Sequence, residues 1–510
     1  MFSEDKNNKF GVCTKMNDDD STDISKIDNL REKIAKEDKR MMYKLWLNNA
    51  YRRIITGILI LGTIYLGLTF GSELTQDGVI TILFFLLIIY LWVSETFPLP
   101  VTALLAGVGI VILGLRTRDE AFAPYASDAV FMILGSLIVA QGITASKADE
   151  LIIRKILPPF TKSTYGLLAG IILICCLLAA VIPDHGVAAI MLPILLTIID
   201  KTDIKEKPNE CVTFTIALAF ACAIAGLATP SGGARNVIAI GFLQQDYGQT
   251  ISYLDWVFLA APITIIMMPI LFLTLIAINK LPYRKITFEM ESNKKIDNEQ
   301  IKSLTILMGT FVLFLLTEKT GLTLGTTAMM GAIAMHISGV LEWEESRSQL
   351  RWGVMFIYGA ALTLGATMVE HGVAKWIADG IFTISQGQEP IVITIIVVVL
   401  AVLLTNIMSD GAAAAVLVPI TLAVAYSAEM NLIFIGMLTS IGTAFAFMTS
   451  FGTPPTLMVH ASGIPTSRDF ARNGIPMVLI AIAIVVIVEQ NYWPLGPDYV
   501  FSKIQSLLGF

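Results

Sequence analysis

Long apolar runs recur along almost the whole sequence. They lie at residues 54–70, 78–93, 101–115, 164–182, 212–228, 254–279, 303–316, 323–340, 389–408, 432–449 and 474–488. A helix needs about twenty mostly apolar residues to cross the hydrocarbon core of a bilayer. The alternating ten-residue segments that would form a membrane β-barrel do not appear. The runs therefore predict an all-α polytopic membrane protein.

The composition agrees with a chain that lies mainly in lipid. Hydrophobic residues make up 55% of the 510 residues and charged residues 15%, whereas a soluble globular protein is about 25% charged. The net charge of −6 includes no basic stripe that would suit nucleic acid. The five cysteines show no CxxC or Cys/His spacing, so neither a disulfide framework nor a zinc site is predicted. We expect no cofactor.

The distribution of lysine and arginine predicts the orientation. Basic residues are concentrated before the first apolar run, around residues 154–162 and in the central polar loop at 280–302. Short cytoplasmic loops carry an excess of these residues. We therefore expect a cytoplasmic N-terminus and central loop, an external C-terminus and a location in the plasma membrane.

Three pairs of segments match across the central loop, in the same order and at a nearly constant offset. The matched pairs are 183–193 with 409–419, 227–236 with 448–456, and 132–140 with 356–364. The pattern predicts an internal duplication.

Each matched segment places Gly, Pro, Ser or Asp inside apolar sequence, where a continuous helix is disfavoured. Unwound backbone is tolerated at membrane depth only where it is buried in protein or lines a wet cavity. Matched breaks in two halves point to a transport site near the bilayer midplane. We predict broken helices and re-entrant hairpins, including short hairpins at 132–140 and 356–364. The alternative is a set of packing kinks with small residues at helix contacts.

Three segments resemble motifs of the divalent anion/sodium symporter family, which includes dicarboxylate, citrate and sulfate carriers. They are WVSETFPLPVTALL (92–105), WGVMFIYGAALTLG (352–365) and GTPPT (452–456). The resemblance extends in order over about residues 50–490. It implies two inverted-topology repeats, two opposed re-entrant hairpins with substrate at their tips, a homodimer formed by scaffold domains, and transport domains that move like elevators.

The resemblance also implies a domain organisation. We expect a cytoplasmic polar tail (1–50), N-terminal scaffold helices (51–127), a first-repeat transport segment (128–279), a cytoplasmic linker (280–302), second-repeat scaffold helices (303–352), a second-repeat transport segment (353–489) and an external C-terminal tail (490–510).

The family signature is a Ser-Asn-Thr tripeptide in each repeat, which holds substrate carboxylates and borders sodium. Here the first tripeptide is Pro-Asp-His, the second is Ser-Asp-Gly, and the first break reads Gly-Gly-Ala-Arg where the family has Gly-Thr-Pro-Pro. The candidate substrate-binding residues are Pro183, Asp184, His185, Gly186, Ser231, Gly232, Gly233, Arg235, Ser409, Asp410, Gly411, Gly452, Thr453 and Pro454. A sodium ion, if bound, would lie near Asp410 and Thr453.

Helix N-termini at the breaks offer free N–H groups to an anion. Arg235 adds a permanently charged fork that suits a carboxylate, and His185 adds an imidazole that is either charged or neutral. A bound dianion requires a positive potential, and a fixed cation at a sodium position would supply that potential without sodium. Such a carrier returns only when loaded, which predicts sodium-independent exchange of C4-type dicarboxylates such as succinate, malate and fumarate, and also 2-oxoglutarate.

Two aspartates at membrane depth are functional candidates. Asp184 could pair with Arg235 or His185. Asp410 could be protonated, bind sodium or pair with a distant residue such as His460. A structural alternative is that these residues form salt bridges that only hold the breaks together.

Other functions remain open. Sodium- or proton-coupled symport of dicarboxylate, citrate or sulfate is the nearest alternative, and a cation–proton antiporter is a third. The Tyr-Asp and Gly-x-Gly-Asp motifs of intramembrane aspartyl proteases are absent. We therefore do not expect an enzyme.

Overall fold

The computed structural model describes residues 74–496, apart from 95, 181, 287, 289–295, 351 and 386–389, together with residues 57, 62, 64 and 65. The ranges described from residue 74 onward belong to one compact unit. The predicted tail at 1–50, most of the first apolar run and residues 497–510 lie outside this description. The orientation and the domain boundaries stay predictions.

Within the described ranges the regular elements are helices, apart from one isolated bridge between Ser163 and Lys285. Seven segments there are long and apolar enough to cross a bilayer. The prediction of an all-α polytopic membrane protein is confirmed. In chain order the α-helices are α1 (Gln76–Val93), α2 (Leu99–Ile112), α3 (Arg118–Phe122), α4 (Asp128–Ala145), α5 (Ala148–Ile156), α6 (Thr164–Ala179), α7 (Asp184–Asp200), α8 (Pro208–Ala225), α9 (Ala234–Tyr247), α10 (Tyr253–Asn279), α11 (Asn298–Leu315), α12 (Thr317–Thr320), α13 (Leu324–Ile337), α14 (Trp343–Gln349), α15 (Trp352–Glu370), α16 (Val373–Ser385), α17 (Pro390–Thr405), α18 (Asp410–Ser427), α19 (Leu432–Thr443), α20 (Pro454–Ala461) and α21 (Ser467–Asn491).

Four interruptions occur where the sequence pattern predicts them. Two are hairpin tips: the first tip (180 and 182–185) lies between α6 and the first residues of α7, and the second tip (406–411) lies between α17 and the first residues of α18. The other two are breaks in the α-helical path: the first break (226–233), which contains a short 3-10 helix (Pro230–Gly232), separates α8 from α9, and the second break (444–453) separates α19 from α20. One tip and one break therefore lie on each side of the central loop. An inverted relation between the two halves stays a prediction.

Local sequence determines where the helices after these interruptions begin. Pro183 directly precedes α7. Ser409 caps α18, because its hydroxyl accepts a hydrogen bond from the Ala412 N–H. Thr453 caps α20 and forms a capping box with Thr456. A proline thus precedes the new helix at the first tip, and short polar residues cap the new helices at the second tip and the second break.

The predicted hairpins at 132–140 and 356–364 are wrong. Both segments lie inside continuous helices, α4 and α15, and both helices belong to spanning segments. Their glycines allow close packing instead. A Cβ atom on Gly135 would lie 2.4 Å from the carbonyl carbon of Ala328, and one on Gly359 would lie 2.4 Å from a tyrosine ring. Close helix contact is the physical reason for the small residues here.

The start of the central loop is tied to the base of the first hairpin. Arg284 donates to the Glu210 carboxylate from Nε at 3.0 Å and to Asp203 from Nη1 at 2.6 and 2.7 Å. Lys207 donates to Asp203 at 2.8 Å. The hydrogen bonds from Arg284 and Lys207 lower the pKa of Asp203 from its ordinary value of 3.8 to about 2.

Candidate functional site

The guanidinium of Arg235 connects α9, directly after the first break, to both hairpin tips. Arg235 is the second residue of α9, and its side chain is fully buried. Its Nη1 donates to Asp184 Oδ2 at 2.9 Å and to Asp410 Oδ2 at 2.7 Å. Its Nη2 donates to the carbonyl of Ala223, in the last turn of α8, at 3.1 Å. We call Asp184, Arg235 and Asp410 the buried ion cluster.

Each aspartate of the cluster is the first residue of the helix that follows a tip. Asp184 Oδ1 accepts from the His185 N–H at 2.7 Å and lies 3.6 Å from the ring Nδ1 of the same histidine. Asp410 Oδ1 accepts from the Gly411 N–H at 2.8 Å. The Asp410 N–H donates to the carbonyl of Gly452, in the second break, at 2.9 Å. Both tips and both breaks therefore meet at the buried ion cluster.

The cluster contains one positive and two negative formal charges. The side chains of Arg235, Asp184 and Asp410 are 0%, 4% and 12% exposed. A buried charge is stable only when it is paired and hydrogen-bonded, and the planar fork of arginine suits carboxylates. With His185 neutral, the net formal charge is negative. Arg235 is therefore not a free cation.

Glycines make room for the guanidinium. A Cβ atom on Gly226 would lie 2.7 Å from the Gly232 carbonyl oxygen and 3.1 Å from Arg235 Nη2. A Cβ atom on Gly233 would lie 2.9 Å from Arg235 Cζ. Any larger residue at these positions would displace either the backbone or the guanidinium. The unusual Gly-Gly-Ala-Arg sequence therefore acts as one structural unit.

Two polar atoms near this junction have no hydrogen-bond partner in the part of the chain that the structure describes: Arg235 Nε and Thr449 Oγ1. Thr449 lies in the second break. A Cβ atom on Gly452 would lie 3.2 Å from Thr449 Oγ1 and 2.7 Å from the Thr405 carbonyl oxygen. Oxygen atoms of unwound segments are typical sodium ligands in transporters. Thr449 lies outside the predicted set of site residues.

The hydroxyls of the other predicted site residues have local partners. Those of Ser409 and Thr453 cap helices. Ser231 Oγ pairs with Tyr253 Oη at 2.9 Å. The remaining predicted residues lie in the same interruptions or in the first turn of the helix that follows, and they contribute mainly backbone; they are Pro183, Gly186, Gly232, Gly233, Gly411, Gly452 and Pro454.

The pairings predicted for Asp184 are both present, with Arg235 and with His185. Asp410 pairs with a distant residue, which was one of its predicted alternatives, but that residue is Arg235 and not His460. His460 Nδ1 lies 3.0 Å from the Pro465 carbonyl oxygen, while Asp410 bonds to Arg235, 175 positions away in the chain. Folding brings this cation to Asp410, which has none near it in sequence.

Two asparagines outside the predicted set stabilise the unwound backbone. Asn236 Nδ2 donates to the carbonyls of Gly226 and Thr229 at 2.8 and 2.9 Å. Asn406 Nδ2 donates to the Phe445 carbonyl at 3.2 Å, and its Oδ1 accepts a backbone N–H of the second break at 3.0 Å. Unwound segments at membrane depth need such partners. The sequence signal that could have identified both asparagines is a side-chain amide within an apolar segment.

Residues 48–496 match the protein family described as the sodium:sulfate symporter transmembrane region. This range includes the seven spanning segments and the four interruptions described above. The chain belongs to this family, which confirms the resemblance noted from its motifs. It is therefore a multi-pass membrane transporter and not an enzyme.

Individual relatives agree with the family. The chain is 27% identical over 424 residues to an uncharacterised transporter of Haemophilus influenzae, covering 79% of this chain and 89% of the relative. It is 25% identical over 482 residues to the sodium-dependent dicarboxylate transporter SdcS of Staphylococcus saprophyticus, covering 86% and 92%. The crystal structure of the Alcanivorax borkumensis YdaH transporter has a similar fold, with a TM-score of 0.53 and 14% identity over 83% of this chain and 100% of that one.

Proposed function

We propose that this protein is a plasma-membrane carrier that moves small dicarboxylates together with sodium. Its family and the sodium-dependent dicarboxylate transporter among its relatives support this class. The observation that carries the proposal is the meeting of both tips and both breaks at the buried ion cluster. Interrupted helices of this kind form substrate and ion sites in secondary transporters. We expect C4 substrates such as succinate, malate and fumarate, and also 2-oxoglutarate.

The charge of the cluster favours cation coupling over exchange. A bound dicarboxylate would leave the site with three uncompensated negative charges if no cation entered with it, and such charges are costly at membrane depth. Sodium-independent exchange requires Arg235 to supply a free positive charge. Asp184 and Asp410 offset that charge, so the charges of the cluster do not support the sequence-based prediction that transport is independent of sodium. Co-transported sodium would supply the missing positive charge.

We expect the sodium to bind beside the second break. Among the described residues, the oxygen atoms there include the Asp410 carboxylate, the Thr449 hydroxyl, which has no hydrogen-bond partner among them, and the Thr405 carbonyl. The helices that begin at Asp410 and Pro454 direct the positive ends of their dipoles toward the same interruptions. A substrate carboxylate could therefore bind between the helix ends and the sodium.

A proton is the second candidate for the coupling ion, because the His185 ring lies 3.6 Å from Asp184 and its side chain is 17% exposed. Protonated His185 would offset one carboxylate. A cation–proton antiporter would need carboxylates that release protons freely, whereas both carboxylates here are bonded to Arg235. The inverted repeat, the elevator movement, the homodimer and the cytoplasmic N-terminus are further proposals, which rest on the family resemblance and on loop charge.

Uptake of labelled succinate into proteoliposomes separates these mechanisms. We expect an inward sodium gradient to drive accumulation, replacement of sodium by choline to abolish it, and malate and fumarate to compete. Accumulation in choline that follows a pH gradient would favour the proton. Uptake in choline that requires internal succinate would establish exchange instead. Failure to take up any dicarboxylate, citrate or sulfate under every gradient would refute the proposal.

A further inference from the structure

The hydroxyl of Tyr358 reaches the second tip from a helix outside the four interruptions. Tyr358 lies in α15 and is 6% exposed. A Cβ atom built on Gly411 would lie 3.1 Å from Tyr358 Oη, but 3.8 Å from Cε1 and Cζ of the ring. The hydroxyl is thus the part of the tyrosine that lies nearest to where a side chain at position 411 would begin.

This position is next to the buried ion cluster. The Gly411 N–H donates to Asp410 Oδ1 at 2.8 Å, and Asp410 Oδ2 accepts from Arg235 Nη1 at 2.7 Å. Tyr358 Oη therefore approaches the residue that bonds directly to a carboxylate of the cluster. Gly411 makes this approach possible because it has no side chain.

Tyr358 Oη has no hydrogen-bond partner among the residues that the structure describes, and Arg235 Nε has none there either. Tyrosine hydroxyls usually find a partner when the side chain is buried. Elsewhere in this protein they do: Tyr125 Oη donates to a backbone carbonyl at 2.7 Å, and Tyr253 Oη pairs with a serine hydroxyl at 2.9 Å. Two donors beside the cluster therefore remain available to acceptor atoms of a ligand.

We propose that Tyr358 is a substrate-binding residue whose hydroxyl donates a hydrogen bond to a carboxylate oxygen of the transported dicarboxylate. The inference rests on the proposed function and adds a specific group to that site. A neutral phenol strengthens the binding of an anion without changing the net charge. The number of coupling cations is therefore independent of this hydroxyl.

The test removes the hydroxyl and keeps the ring. We expect Tyr358→Phe in proteoliposomes to raise the KM for succinate by about tenfold or more, because a hydrogen bond to a charged group is lost. The maximal rate and the sodium dependence should change by less than about twofold, as for a loss of binding alone. Tyr426→Phe is the matched control, since Tyr426 is 69% exposed, and it should leave KM unchanged.

A second variant distinguishes ligand binding from a packing role. Tyr358→Phe combined with Gly411→Ser returns a hydroxyl to the vacated space and should recover most of the lost affinity. Gly411→Ser alone places an atom 3.1 Å from the phenol oxygen and should raise KM. An unchanged KM in Tyr358→Phe, or no recovery in the double variant, overturns this inference and leaves the proposed function intact. Wild-type vesicles that take up no dicarboxylate overturn the proposed function, and this inference with it.

Discussion

Replacing Arg235 by methionine should destabilise the protein by about 3–5 kcal/mol, because removal of one partner leaves buried charge uncompensated. Asp184 and Asp410 both accept hydrogen bonds from the same nitrogen, Nη1, so their carboxylates would repel each other without it. At 4 Å and an effective dielectric constant of about 20, one pair of unit charges interacts by about 4 kcal/mol. Two such attractions would be lost and one repulsion gained, but the cost of burying the guanidinium would also disappear and protonation of one carboxyl would relieve the repulsion, so the net loss is much smaller than the sum of these terms.

Thermal unfolding in lipid nanodiscs measures this loss. The matched neutral variant combines Arg235→Met with Asp184→Asn and Asp410→Asn, so that no charge remains in the buried ion cluster. It should recover most of the stability, since replacing a buried ion cluster by uncharged groups of similar volume is often neutral or stabilising. The reasoning is refuted if Arg235→Met unfolds at the wild-type temperature, or if the neutral variant is no more stable than the single one.

Two further predictions concern close packing and pH. Gly233→Ala would place a Cβ atom 2.9 Å from Arg235 Cζ, displace the guanidinium and reduce the transport rate by about tenfold or more; Gly309→Ala, with no neighbour within 4 Å, should transport like the wild type. Arg284 holds the pKa of Asp203 at about 2, below its ordinary value of 3.8. Because folding lowers this pKa, the Asp203 carboxylate stabilises the fold at pH values above 3.8, the ordinary pKa that applies to the unfolded chain. The excess in free energy of unfolding of wild type over Asp203→Asn should therefore be constant near neutral pH and disappear as the pH falls from 3.8 toward 2.

Each of these predictions has a clear contrary result. Equal transport by Gly233→Ala and Gly309→Ala would show that the guanidinium tolerates displacement. For Asp203, the unfolding temperatures of wild type and Asp203→Asn are measured across the acid range. A difference between them that stays constant from neutral pH down to pH 2 would contradict the lowered pKa of Asp203. The effect of Asp203 should be small, because its side chain is 53% exposed and solvent screens the pair.

The positions of the interruptions are predictable because the physics that creates them is local. Pro183, Ser409 and Thr453 stand inside apolar sequence, where they stop one helix or cap the next. The pairings of Asp184 with His185 and with Arg235 were among the predicted alternatives because all three residues lie in one repeat.

Other features depend on tertiary structure and leave little trace in the sequence. The partner of Asp410 lies 175 positions away, and no local pattern identifies it. Gly135 and Gly359 look like helix breakers, but their role is to let helices approach closely. Tyr358 reads as an ordinary core aromatic residue, because only the fold brings its hydroxyl to Gly411.

A density map of the protein in nanodiscs, with saturating succinate and sodium, tests the central claim most directly. We expect succinate density at the junction of the two tips and two breaks, in contact with Arg235 or Tyr358 and beside Asp410. Density for the substrate at a different place, or a structure in which Asp184 and Asp410 lie far apart with no shared arginine, would contradict the account.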